Sequence, residues 1–204
     1  MISWMNIIHI GDIGITVPAA ATIMAYLVAG GAWNMAWRWC LLFILGIGLV
    51  VISKIAFLGW GFGIRVLDFK ALSGHATLVT AIIPVIFYLL LQRVSSIKRT
   101  LGVLFGIVCC IVMGILLVVL NEHSASETIA GFLVGSIISL VFIWGYHPSP
   151  TYRLKLWFVP FLVITCLLAG YSKPLPVDYW MIRVALYLSG HDNPYNWSTW
   201  QLDT

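Results

Sequence analysis

Residues 100–152 read TLGVLFGIVCCIVMGILLVVLNEHSASETIAGFLVGSIISLVFIWGYHPSPTY. Two stretches free of Asp, Glu, Lys and Arg, 100–121 and 128–152, flank a short polar seam that holds Glu122, His123, Ser124, Ser126 and Glu127. Each stretch is continuously apolar, without the period-two alternation of a membrane β-strand, and is long enough as a helix for a hydrocarbon core roughly 30 Å thick. In lipid, backbone polar groups must be satisfied within the spanning segment, so these stretches have to be helices.

The pattern recurs along the chain. Residues 13–37, 39–53, 76–92 and 156–172 are also free of those four charged residue types. Hydrophobic residues make up 61% of the 204 positions, charged residues only 9%, and the mean hydropathy is +1.01. A soluble domain carries about 25% charge, so a soluble globular protein is excluded. The sequence predicts an all-α, polytopic membrane helical bundle of about six transmembrane helices over residues 1–172. An interfacial tail follows over 173–204, rich in tryptophan (Trp180, Trp197, Trp200) and with a short helix predicted over Val177–Leu188.

The formal net charge of +4 comes from scattered basic residues, not from a basic patch interleaved with aromatics, so no nucleic-acid partner is expected. Cys40, Cys109, Cys110 and Cys166 all lie in apolar runs, without a CxxC pair or a histidine at ligand spacing. They are read as packing residues, and neither a metal nor a cofactor is expected. Arg38, the first basic residue, follows the first apolar run instead of preceding it, which is not the pattern of a cleavable signal peptide.

Two connections carry the polar chemistry: Lys54 to His75, and Asn121 to Thr128. If each span crosses once, the helices at 76–92 and 100–121 take the chain away and bring it back. Both connections then lie on one membrane face, where His75 and His123 can meet. The opposite face receives Arg38, Arg93, Lys98, Arg99, Arg153 and Lys155 with no acidic residue, whereas all seven acidic residues fall on the polar face. The polar face itself carries Lys54, Arg65, Lys70, Lys173 and Arg183, so basic residues number six against five, or six against two with the three of the candidate site set aside. Basic residues favour the cytoplasmic side, so the polar face is expected to point outward, and an outward site in so small a chain suggests a bacterial inner membrane.

His123 and Glu127 are four apart, on one helical face, so that the carboxylate can accept an imidazole proton and orient the ring as base or nucleophile. Ser73-Gly74-His75 opens a helix whose free backbone N–H groups and positive dipole end favour an anion. A phosphate fits such a place, with Lys54, Arg65 and Lys70 to neutralise it and His75 to protonate a departing oxygen. Asp12 is read as a helix cap, His9 and His147 as structural, Asp68 and Lys70 as pairing with each other or with water, and the second Ser-Gly-His at 189–191 as a turn in the tail.

The segment Ser73-Gly74-His75-Ala76-Thr77, and the segment His123-Ser124-Ala125-Ser126-Glu127-Thr128-Ile129-Ala130-Gly131, resemble motifs two and three of the type 2 phosphatidic acid phosphatase superfamily. Lys54 resembles the lysine of its first motif. The resemblance spans about residues 53–135 and implies a membrane phosphatase acting on a lipid phosphate or diphosphate. It implies His123 as the nucleophile that becomes a phosphohistidine, Glu127 as its orienting carboxylate and His75 as general acid. It further implies Ser73 and Gly74 as phosphate-oxygen donors and Lys54 as a cationic clamp.

The chain departs from the family pattern at three arginine or proline positions. Gly61 stands seven residues after Lys54 in place of arginine, Leu72 replaces the proline before Ser73, and Leu116-Leu117 replaces the Ser-Arg pair of motif three. Arg65 and Lys70 are the spare cations. The lost arginine supports an alternative, a relative that binds or transfers a lipid phosphate without efficient hydrolysis. Residues alone leave open which lipid phosphate is involved, whether water or a second lipid accepts the phosphoryl group, and the oligomeric state.

Overall fold

In a computed structural model, residues 11–92, 94–145, 160–161, 163–164 and 176–197 are described. They form α1 (Ile13–Ala29), α2 (Trp33–Trp60), a 3-10 turn at Arg65–Leu67, α3 (Gly74–Leu90), α4 (Ser96–Val119), α5 (Ala125–Trp144) and α6 (Val177–Ser189). The architecture is all-α, as the apolar runs require. Helices α2, α4 and α5 are long and apolar enough to cross a membrane, and α1 and α3 are shorter apolar helices of 17 residues each. The span expected over 156–172 lies largely outside the described residues, as do His9, His147 and Cys166.

The first boundary differs from its expected place. The break falls at Gly30–Gly31, not at Arg38, because Gly31 takes a left-handed φ of +76° that glycine tolerates without strain. Arg38 sits inside α2, where its guanidinium donates to the Val141 carbonyl of α5 at 2.9 Å, so a basic residue near a helix end needs no loop. At its other end α2 continues through Lys54 to Trp60 and stops at Gly61, again left-handed with φ +70°. The expected loop from Lys54 to His75 is therefore shorter, running over 61–73.

The bundle has two unlike halves. Near the Arg38 end, Ile23, Tyr26, Leu27, Trp39, Phe43, Val85, Leu89 and Phe142 form the main apolar core. Trp39 stacks on Phe43, meets Phe142 edge-on at 5.3 Å, and donates its indole N–H to the Ala20 carbonyl at 3.0 Å. Large apolar side chains such as Ile44, Leu45, Ile52, Leu101, Phe105, Leu133 and Ile137 face outward, as suits contact with lipid tails.

The other half is built by close approach of α3 to α5. Hydrophobic burial drives helices together weakly inside a membrane, so small residues and van der Waals contact do the work. Gly131 and Gly135, four apart on α5, face Ser73, Thr77 and Ala81 on α3. A Cβ on Gly131 would lie 2.7 Å from the Ser73 carbonyl oxygen and 3.0 Å from Thr77 Oγ1. A Cβ on Gly135 would collide with the Thr77 carbonyl and lie 2.8 Å from Thr80 Cβ. Gly135→Val is expected to force α3 and α5 apart and destabilise the bundle by about 1–3 kcal/mol, the usual range for overpacking. Thermal unfolding in detergent measures this, and an unchanged midpoint would contradict the packing described.

The segment 176–197 lies against the polar end of α2. The Lys54 ammonium meets the Asp178 carboxylate at 3.1 Å, and the Tyr195 N–H donates to the Leu58 carbonyl at 2.8 Å. The second Ser-Gly-His is the end of α6: Gly190 caps it at φ +72°, and the His191 ring donates to the Gly59 carbonyl at 2.8 Å. The tail turn expected there is what forms.

Candidate active site

The site lies where the N-termini of α3 and α5 meet the loop 61–73. Ser73 is the N-cap of α3, fully buried, its hydroxyl accepting from the Ala76 N–H at 3.3 Å. Its own N–H donates to the Glu127 carbonyl at 3.3 Å, which ties the start of α3 to α5. A Cβ on Gly74 would touch nothing closer than Val50 Cγ1, at 3.5 Å. That is ordinary van der Waals contact, so no protein neighbour demands glycine there.

His75 follows in the first turn of α3. His123 stands just before Ser124, the N-cap of α5, and the two imidazoles face one another with ring centroids 5.9 Å apart. His123 and Glu127 meet as their spacing predicts, Nδ1 to Oε2 at 3.0 Å. Glu127 is buried and does more than orient His123. Its Oε1 accepts the Lys70 N–H at 3.0 Å, and its Oε2 also accepts the Ser124 N–H at 3.3 Å. With the Ser124 hydroxyl accepting from the Glu127 N–H, this is a capping box, and S-x-x-E in the sequence is its signature.

The turn before His123 is equally determined. Asn121 adopts a left-handed φ of 58°, and the Leu117 carbonyl accepts the N–H groups of Glu122 and His123 at 3.0 and 3.3 Å. The Leu117 side chain, at the place of the family's arginine, is fully buried against Ala76 and Leu120. It packs α4 under the first turn of α3 and supplies no charge.

Of the expected cations, Lys54 is within electrostatic reach of His75 while bonded to Asp178. Arg65 is exposed on the 3-10 turn. Lys70 serves Glu127 through its backbone, and among the described residues neither its side chain nor that of Arg65 forms an ion pair. Asp68 does not pair with Lys70; its carboxylate accepts the Trp197 indole N–H at 3.1 Å.

One site residue was not anticipated. Asp12 occupies the N-cap position of α1, yet its side chain makes no cap bond there. Its Oδ1 lies 2.7 Å from His75 Nε2 instead. Gly11 makes this possible, since a Cβ on it would lie 2.9 Å from His75 Cδ2. The available signal was an acidic residue beside glycine at the start of a span on the polar face.

Two carboxylate–histidine pairs thus face each other across a small space, beside helix N-termini and a lysine. One imidazole can attack while the other exchanges a proton, with anionic oxygens held by N–H groups. No cluster of three or more His, Cys, Asp or Glu suited to a metal ion exists among the described residues. An apolar cleft of about 350 Å³ opens between α4 and α5, lined by Ile111, Gly114, Ile115, Val118, Thr128 and Phe132. Thr128, the residue after Glu127, is buried with its hydroxyl unbonded among the described residues.

Residues 60–150 match the sequence profile of the PAP2 superfamily. A relative from Klebsiella pneumoniae, described as an uncharacterized 22.5 kDa protein in cps region, is 39% identical over 142 residues, covering 69% of this chain and 68% of its own. No solved structure matches the chain.

Proposed function

The chain belongs to the PAP2 superfamily, and on that premise we propose that it is an integral membrane phosphatase that hydrolyses a lipid phosphate or diphosphate through a phosphohistidine, at the outer membrane face. The observation that carries this reading is the facing pair of imidazoles, 5.9 Å between centroids, with His123 anchored through Nδ1 to a buried carboxylate. That bond leaves His123 Nε2 to attack phosphorus. As the P–N bond forms, the bond from phosphorus to the leaving oxygen breaks and that oxygen takes a proton from His75. Glu127 balances the positive charge on the phosphorylated ring. Water then attacks phosphorus, gives a proton back to His75 and releases His123.

The cleft between α4 and α5 supports a lipid as the carrier of the phosphate. It is apolar and ends at Thr128, next to Glu127, so a hydrocarbon chain lying in it reaches the site from the side. Substrate classes consistent with this are polyprenyl diphosphate, phosphatidate and related lipids. Binding without turnover is the second reading, favoured by Leu117, which removes the expected arginine. Lys54 is the cation that supports turnover in its absence.

Phosphate release from a panel of lipid phosphates and diphosphates, in detergent and EDTA, tests the reading. Release from at least one lipid, surviving EDTA, is the expected result. Lipid phosphate bound with no release from any would favour the second reading. Ile115→Trp, which fills the cleft, is expected to raise KM for long-chain substrates about tenfold, the loss of roughly two buried methylenes, while leaving a short-chain analogue unaffected. Equal effects on both chain lengths would remove the cleft from the account.

A further inference from the structure

We propose that Asp12 is the positioning residue for His75: it holds Nε2–H so that Nδ1 delivers the proton to the leaving oxygen. The inference rests on the phosphatase reading and extends it to a residue outside the motifs. Asp12 and His75 are separated by 63 positions in sequence, yet Oδ1 and Nε2 are 2.7 Å apart, with 30% of each side chain exposed.

An aspartate at an N-cap ordinarily accepts a backbone N–H of its own helix. Asp12 forgoes that bond. Its backbone carbonyl still starts α1 by accepting the Ile15 and Thr16 N–H groups and the Thr16 hydroxyl, all at 2.9 Å, while the carboxylate turns to the imidazole. Gly11 leaves unfilled the place beside the Cδ2 edge of the same ring where a Cβ would collide, so the ring can stand against the carboxylate. The residue at 11 has no room for a side chain while His75 stands there.

Electrostatics gives the arrangement a purpose. His75 lies in the first turn of α3, where burial, the helix dipole, His123 and Lys54 all oppose a cation. A carboxylate on Nε2 works against that opposition and favours the protonated ring. The two histidines then work through opposite nitrogens. Glu127 takes Nδ1 of His123 and leaves Nε2 to attack; Asp12 takes Nε2 of His75 and leaves Nδ1 for proton transfer. In the first step the Nδ1 proton goes to the leaving oxygen as its bond to phosphorus breaks, and the Nε2 proton stays on the Asp12 side. In the second step water returns a proton to Nδ1 as its oxygen bonds to phosphorus and the P–N bond breaks.

The test uses leaving groups of different basicity on the full-length protein in detergent. A short-chain phosphatidate has an alkoxide leaving group that needs a proton, whereas p-nitrophenyl phosphate does not. For Asp12→Ala, kcat/KM on the phosphatidate is expected to fall about 10²-fold and on the aryl ester less than about fivefold, because general-acid help matters only for a basic leaving group. Asp12→Glu is expected to recover part of the loss. Adding His75→Ala to Asp12→Ala should cost no more than His75→Ala alone, since the two act as one unit. Equal loss on both esters would mean a merely structural role and overturn the inference, as would no loss on either. An unmodified protein inactive on both esters and on the whole lipid panel would overturn the phosphatase reading itself.

Discussion

His123→Ala is expected to abolish turnover of every substrate, by on the order of 10⁴-fold or more, because removing a nucleophile deletes the covalent path and leaves only binding and electrostatic effects. The fold should survive. The His123 ring contributes one bond to Glu127, whose other acceptor contacts to the Lys70 and Ser124 N–H groups are unaffected by its loss. The measurement is phosphate release together with trapping of acid-labile phosphate on the protein after a brief pulse with labelled lipid. The unaltered protein should carry label and the variant none. Turnover in the variant within tenfold of the original would mean that phosphorus is attacked by something else, and the covalent route would have to be abandoned.

Glu127→Ala is expected to lose both activity and stability, which separates it from every other change at the site. The carboxylate accepts three hydrogen bonds, from His123, Lys70 and Ser124, in a position only 6% exposed. Without it the Lys70 and Ser124 N–H groups lose a buried acceptor, which costs about 2–4 kcal/mol in total. Activity should fall by about 10⁴-fold as the His123 ring loses its orientation, by comparison with removal of the orienting carboxylate in serine protease triads. Glu127→Gln keeps the shape but offers one acceptor oxygen in place of two, so it should unfold nearer the original temperature while remaining almost as inactive. Calorimetry in detergent beside the lipid assay separates the two losses. A Glu127→Ala protein that is as stable as the original would contradict the loop anchoring at Lys70.

These contacts mark where sequence reading works and where it stops. Unbroken apolar runs force helices, and alternation of spans places His75 and His123 on one face before any coordinate is known. The i, i+4 spacing of His123 and Glu127 is likewise a property of the helix itself. Helix ends are less determined: Arg38 breaks the charge-free pattern but is satisfied inside α2 by the Val141 carbonyl, so the chain turns at Gly30–Gly31 instead. Long-range pairing outside the two polar connections is not legible. Asp12 looks like a cap because local geometry makes a cap the nearest use of an aspartate at a helix start. Only the approach of Gly11 to His75 reveals that the carboxylate has gone elsewhere. The Lys70 backbone contact is hidden for the same reason, since a loop N–H carries no sequence signature.

The strap formed by residues 176–197 places the site in time. Asp12, His75, His123 and Glu127 all precede Trp197, whose indole holds Asp68 of the 61–73 loop and whose ring meets Phe57 at 5.0 Å. Ribosomes add about 5–20 residues per second, so the nascent chain spends several seconds with both carboxylate–histidine pairs translated and the loop beside them unfastened. Asp178 reaches Lys54, and Tyr195 reaches Leu58, only after residues 178 and 195 have been made. Fastening of the 61–73 loop thereby waits for residues translated well after α5, and a chain stalled just after α5 has both carboxylate–histidine pairs without the contacts that hold that loop.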